Sequence, residues 1–102
     1  MNLQHAVVVA VLRAETIKAF GEEHWPAMEQ IVGHESGFRP TAQNPTSTAF
    51  GLFQFLDSTW ASYGCKKTAV VSEQIRCGIK YISARYKDPN RALLFWNLHR
   101  WY

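Results

Sequence analysis

The chain has 102 residues, 47% of them hydrophobic, and its eleven Lys and Arg against eight Asp and Glu give a net charge of +3. That length supports one domain over residues 1–102, with a single core and no room for two. The mild, scattered basic excess forms no stripe or recognisable module, which excludes nucleic-acid binding, and the lack of repeats and low-complexity runs excludes an array or a disordered tail.

The first predicted element is a helix from about Asn2 to Phe20. Leu3, Val7, Ala10, Ala14 and Ile17 recur at helical spacing, so that face is expected to point into the core. The apolar run from Ala6 to Leu12 is too short to span a bilayer. It also lacks a Lys/Arg-rich start and a small-residue cleavage site, so it is a poor signal peptide. No membrane insertion and no standard export address are expected.

Trp25-Pro26 opens the second helix, because proline is tolerated in the first turn. Met28, Ile31, Val32 and Glu35 then share one face, and Gly37 is a natural left-handed stop. Glu35 therefore projects from the apolar side of the last turn, where the helix dipole is negative. Burial and the dipole both disfavour the carboxylate and push its pKa up. A carboxyl group kept protonated near neutral pH can donate a proton to a glycosidic oxygen. The alternative is structural, an ion pair with Arg39 or Arg13.

From Gly37 to Phe53 the chain carries Pro40, Asn44-Pro45 and Thr46-Ser47-Thr48, a long polar loop of the kind that is usually functional. Asp57 is expected to cap a short helix through Tyr63 that ends at Gly64. Ser72 is expected to cap the next, with Glu73 in its first turn and Ile75, Ile79, Ile82 and Tyr86 on one face. Asp88 caps the last helix, with Pro89 at its first position and Leu93, Leu94 and Trp96 following. No segment alternates with period two. The reading is an all-α domain of about five helices with a long active-site loop and at most a small hairpin in it.

The remaining chemistry-bearing residues are few. His5, His24, His34 and His99 do not form a metal spacing, and no metal or cofactor is assigned. Cys65 and Cys77 either form a disulfide, closing a short loop and adding roughly 2–4 kcal/mol, or are two free thiols. A catalytic cysteine is disfavoured because no histidine stands in a partnering position. Most of the aromatic residues should fill the core, with a few left to stack on sugar rings.

Four fragments occur in order: Glu35-Ser36, Phe38-Arg39-Pro40-Thr41-Ala42, Gly51-Leu52-Phe53-Gln54 and Gly78-Ile79-Lys80-Tyr81. From about His24 to the C-terminus the chain resembles the soluble lytic transglycosylase (SLT) family, which has a lysozyme-like fold. Arg85-Tyr86-Lys87-Asp88-Pro89, Phe95-Trp96 and Trp101-Tyr102 are similar to SLT-like domains of phage tail tape-measure proteins. Gln54-Phe55 and Ser58-Thr59-Trp60 are similar to the resuscitation-promoting factors. The resemblance implies that Glu35 is the catalytic acid and then base, and that Ser36 orients it or touches substrate. It implies that Asn44 and Gln54 contact the sugar and that Phe55, with Leu56, forms an apolar floor. It also implies that Tyr81 aims its hydroxyl at the reacting centre, although spacing alone makes Tyr81 a core residue. The family's Ala-Tyr-Asn-Ala-Gly is replaced here by Phe95-Trp96-Asn97-Leu98-His99, a departure on the C-terminal side of the cleft.

The implied partner is a peptidoglycan glycan strand, cut outside the cytoplasm. The implied setting is a phage particle, a lysis system or a larger protein that delivers the domain without a signal peptide. Most glycosidases use two carboxylates, and no second one can be placed: Asp57 reads as a helix cap and Glu73 as a first-turn charge. One acid fits substrate-assisted cleavage between N-acetylmuramic acid and N-acetylglucosamine that yields a 1,6-anhydro product. A hydrolytic muramidase and a non-catalytic glycan-binding or virion module are the alternatives.

Overall fold

The computed structural model describes residues 2–102; Met1, the first residue of the expected 1–102 domain, lies outside them. Five helices follow one another: α1 (Leu3–Phe20), α2 (Trp25–Ser36), α3 (Asp57–Ser62), α4 (Val71–Tyr86) and α5 (Pro89–His99), with a 3₁₀ turn at Glu22–His24 between α1 and α2. The described residues contain no strand. Two isolated bridges, Gln43 to Phe50 and Phe50 to Phe55, fold the loop between α2 and α3 back on itself, and this is the small hairpin expected there.

The core is built where the helices cross. Met28, Ile31 and Val32 of α2, Ile75 and Ile82 of α4, Val8 and Leu12 of α1, and Leu52 and Phe53 of the loop are all buried. The α1 face is a correction. Leu3 is 81% and Val7 52% exposed, and the inward line is instead Val8, Leu12 and Thr16. The segment from Ala6 to Leu12 is apolar all round, so periodicity alone could not choose the face; packing against α2 and α4 chose it. Thr16 is tolerated inside because its hydroxyl donates to the Leu12 carbonyl (2.7 Å).

Two caps also shift, one by a single residue and one by two, the usual uncertainty at helix ends. α3 is capped by Leu56, so Asp57 lies inside its first turn and pairs with Lys67 at 2.9 Å instead. α4 starts at Val71 with Val70 in the cap position, so Ser72, the expected cap, lies inside its first turn. Asp88 is the expected cap of α5, its Oδ1 accepting from the Arg91 N–H at 2.9 Å.

Three devices fix the loop against the helices. Gly78 of α4 has no side chain where Phe53 lies, and a Cβ there would come within 2.2 Å of the phenyl ring. Gly51 sits at φ +88°, a region that favours glycine, and its missing Cβ leaves room for Gln74, 2.8 Å from where that atom would stand. Cys65 and Cys77 are joined by a disulfide that ties the segment after α3 to α4.

Candidate functional site

The site begins with the end of α2. Gly37 turns left-handed (φ 60°) and its N–H closes on the Gly33 carbonyl, which stops the helix one turn beyond Val32. Glu35 is left half-buried in that last turn. Its Oε1 accepts one hydrogen bond, from the Trp96 indole N–H of α5 at 3.2 Å. Burial raises the Glu35 pKa above its ordinary value, and the Trp96 N–H draws it partly back. The negative end of the helix dipole acts in the same direction as burial. No ion pair holds the acid among the described residues. Arg39, the nearer of the two expected cations in sequence, sends its Nε to the Ser36 carbonyl at 2.9 Å.

Glu35 opens onto a cavity of about 340 Å³ that is also lined by Asn44, Gln54, Phe55, Tyr81 and Tyr102. Four of the expected contact residues are therefore brought together with the acid, and Ser36 is not. It is buried, and its hydroxyl donates back to the Val32 carbonyl at 3.2 Å. Asn44 spends its Oδ1 on the Thr46 N–H (2.8 Å) and hydroxyl (3.0 Å), an Asx turn that shapes the rim. Gln54 spends its amide nitrogen on the Ala42 and Gly51 carbonyls at 2.8 and 2.9 Å. The amide nitrogen of Asn44 and the amide oxygen of Gln54 carry no bond among the described residues, leaving one donor and one acceptor for a ligand. Phe55 is 5% exposed and packs on Phe53, Trp60 and Tyr81, forming an apolar floor with the more exposed Leu56 beside it.

Tyr81 lines the cavity, but its hydroxyl donates to the Tyr102 main-chain oxygen at 2.8 Å rather than to Glu35. Tyr102 in turn donates to the Phe53 carbonyl at 3.0 Å. Burial, and secondarily the charge of Glu35, push the Tyr102 pKa well up, which favours the neutral phenol as a donor. Burial likewise raises Tyr81, followed by the influence of Tyr86. These two tyrosines bind the C-terminal run across one side of the cavity.

Sequence reasoning missed Arg100, Trp101 and Tyr102 as cavity residues and Trp96 as the hydrogen-bond partner of Glu35. Trp96 lies in the segment that departs from the SLT pattern, and that departure was the available signal. Its ring is stacked on His34 (4.4 Å between centroids, 8° between planes), and the Arg100 guanidinium lies 5.1 Å from its centroid. A larger depression of about 550 Å³ lies between α1 and α4. It is lined by no aromatic ring, and its two acids are both exposed, Glu73 being tied to Arg76 at 3.1 Å and Glu15 lying open on α1, so it offers neither a stacking face nor a half-buried acid. Among the described residues, no group of three His, Cys, Asp or Glu side chains comes together to hold a metal.

An all-α domain with one half-buried acid at a helix end, set above an aromatic-floored groove, has the lysozyme-like construction. The Transglycosylase SLT domain family matches residues 14–98, and the chain belongs to that family. The family is one of peptidoglycan lytic transglycosylases, which sets wall glycan as the substrate class. No curated protein and no solved structure matches this chain. Among the described residues no helix is long and apolar enough to cross a membrane.

Proposed function

We propose that residues 1–102 act as one catalytic domain that cleaves the β-1,4 bond between N-acetylmuramic acid and N-acetylglucosamine without water, leaving a 1,6-anhydromuramyl end. Glu35 carries the proton in both directions. The protonated carboxyl group gives its proton to the glycosidic oxygen, and the N-acetylglucosamine side leaves as an alcohol. The muramic acid's own N-acetyl oxygen bonds to C1 and holds the positive centre. Glu35, now a carboxylate, takes the proton of the C6 hydroxyl. O6 bonds to C1, the N-acetyl oxygen leaves, and the ring closes. Protons balance and Glu35 returns to its starting form.

The observation that carries this reading is that Glu35 is the sole carboxyl group among the side chains lining the cavity, with burial holding its pKa up. A double-displacement hydrolase needs a second carboxylate about 5 Å away. The neutral tyrosines and the unbonded amide atoms of Asn44 and Gln54 suit a polyhydroxyl ligand. Action lies outside the cytoplasm, where the wall is. The likeness of the segment from Arg85 to Tyr102 to phage tail domains supports delivery within a virion. Mass spectrometry of muropeptides released from purified sacculi tests the reaction. Anhydromuramyl products are expected, and products heavier by one water would replace this reading with a hydrolytic muramidase.

A further inference from the structure

The acid–base step above leaves Arg100 and Trp101 without a task, yet both line the Glu35 cavity. Arg100 ends α5 in the left-handed region (φ 64°), with its N–H on the Trp96 carbonyl at 2.6 Å. A non-glycine residue is strained in that region, so a glycine would serve the helix end better. The side chain turns back over the Trp96 ring, 5.1 Å from its centroid. Arg100 is the sole cationic side chain among those lining the cavity, and it forms no ion pair among the described residues. Glu35 is not its partner: no ion pair joins the two, and the acid takes its hydrogen bond from Trp96. Trp101 beside it is 52% exposed, a large apolar ring open to solvent at the cavity edge.

A guanidinium held on a ring, facing a groove and lacking a counter-ion, is suited to an incoming carboxylate, which its planar fork can take with two parallel hydrogen bonds. Wall glycan carries carboxylates only on the lactyl side of the muramic acid residue. They are the lactyl carboxylate itself in strands stripped of peptide, or the carboxylates of the stem peptide where it is present.

We infer that Arg100 and Trp101 form a subsite for the carboxylate-bearing lactyl arm of the muramoyl unit, with the indole under the arm and the guanidinium on the anion. The inference rests on the peptidoglycan reading above and adds what distinguishes muramic acid from an uncharged N-acetylglucosamine polymer.

The test is binding, read by tryptophan fluorescence in the full chain carrying Glu35→Gln so that nothing is turned over. Three probes are titrated: chitotetraose, a peptide-free peptidoglycan tetrasaccharide, and the same tetrasaccharide with its stem peptides. The parent should bind the carboxylate-bearing probes more tightly than chitotetraose. Arg100→Gln should weaken those probes about tenfold, as expected for losing a hydrogen-bonded charge, and leave chitotetraose within about twofold. Arg100→Gly should lose the same selectivity while folding at least as well, since glycine prefers this backbone region. Loss on the peptide-free probe alone assigns the lactyl carboxylate, loss on the peptide-bearing probe alone assigns the stem, and loss on both shows that the guanidinium takes either anion of the arm. Equal weakening of all three probes, no weakening of any, or a parent that does not prefer the charged probes overturns the subsite. Selective binding by a chain whose Glu35 form releases no muropeptides would overturn the proposed reaction and leave this subsite standing.

Discussion

Gln74 is 1% exposed and braces the active-site loop against α4. Its Oε1 accepts from the Leu52 N–H at 2.8 Å, and its Nε2 donates to the Pro40 carbonyl at 2.7 Å and the Thr68 carbonyl at 2.8 Å. Gln74→Ala removes all three bonds and strands one donor and two acceptors away from water. At about 1 kcal/mol net for each bond, the loss is about 3 kcal/mol before any cavity is counted. For a domain of this size that corresponds to a fall in Tm of about 12–24 °C. Urea unfolding followed by tryptophan fluorescence measures the loss, and hydrogen exchange at the Leu52 amide should accelerate with it. Gln74→Met separates the two contributions, because it restores volume without polar atoms and should recover little. A Gln74→Ala chain within about 1 kcal/mol of the parent, or a Gln74→Met chain as stable as the parent, would show that the brace is not what holds the loop.

Trp96→Phe deletes the single hydrogen bond to Glu35. Since that bond lowers a pKa already raised by burial, its loss should raise the pKa further and move the alkaline limb of kcat/KM to higher pH. Turnover should also fall, by up to about 10²-fold if the carboxyl group swings out of line. An unmoved alkaline limb in the pH–rate profile would show that Trp96 does not act on the acid. Replacing Cys65 and Cys77 together by Ser should cost about 2–4 kcal/mol, read as a lowered Tm that dithiothreitol no longer affects; a Tm equal to that of the oxidised parent contradicts this.

Much of the site could be read locally. The α2 pattern, its Pro26 start and Gly37 stop, and the place of Glu35 on the apolar side of the last turn are decided within a dozen residues, and the structure keeps all of them. What could not be read is what long-range packing decides. Trp96 meets Glu35 across 61 positions and Tyr102 meets Phe53 across 49. No local pattern encodes such pairs, although the indole at the point of departure from the family pattern was a usable clue. Gln74 shares one buried side of α4 with Gly78, Tyr81 and Ile82, and a glutamine at that spacing was a sign of an internal brace. The α1 face differs from the expected one because its segment from Ala6 to Leu12 is apolar on every side and carries no directional information until its neighbours are in place. Ser36, adjacent to the acid in sequence, lies on another side of the helix because successive residues turn by about 100°.

The most direct test of the Glu35 proton is Glu35→Gln, which keeps the shape and the contact to Trp96 but has no proton to give. Muropeptide release from sacculi should disappear, while the circular dichroism spectrum and thermal unfolding remain those of a folded chain. A folded Glu35→Gln chain that still releases muropeptides at the parent's rate would contradict the account.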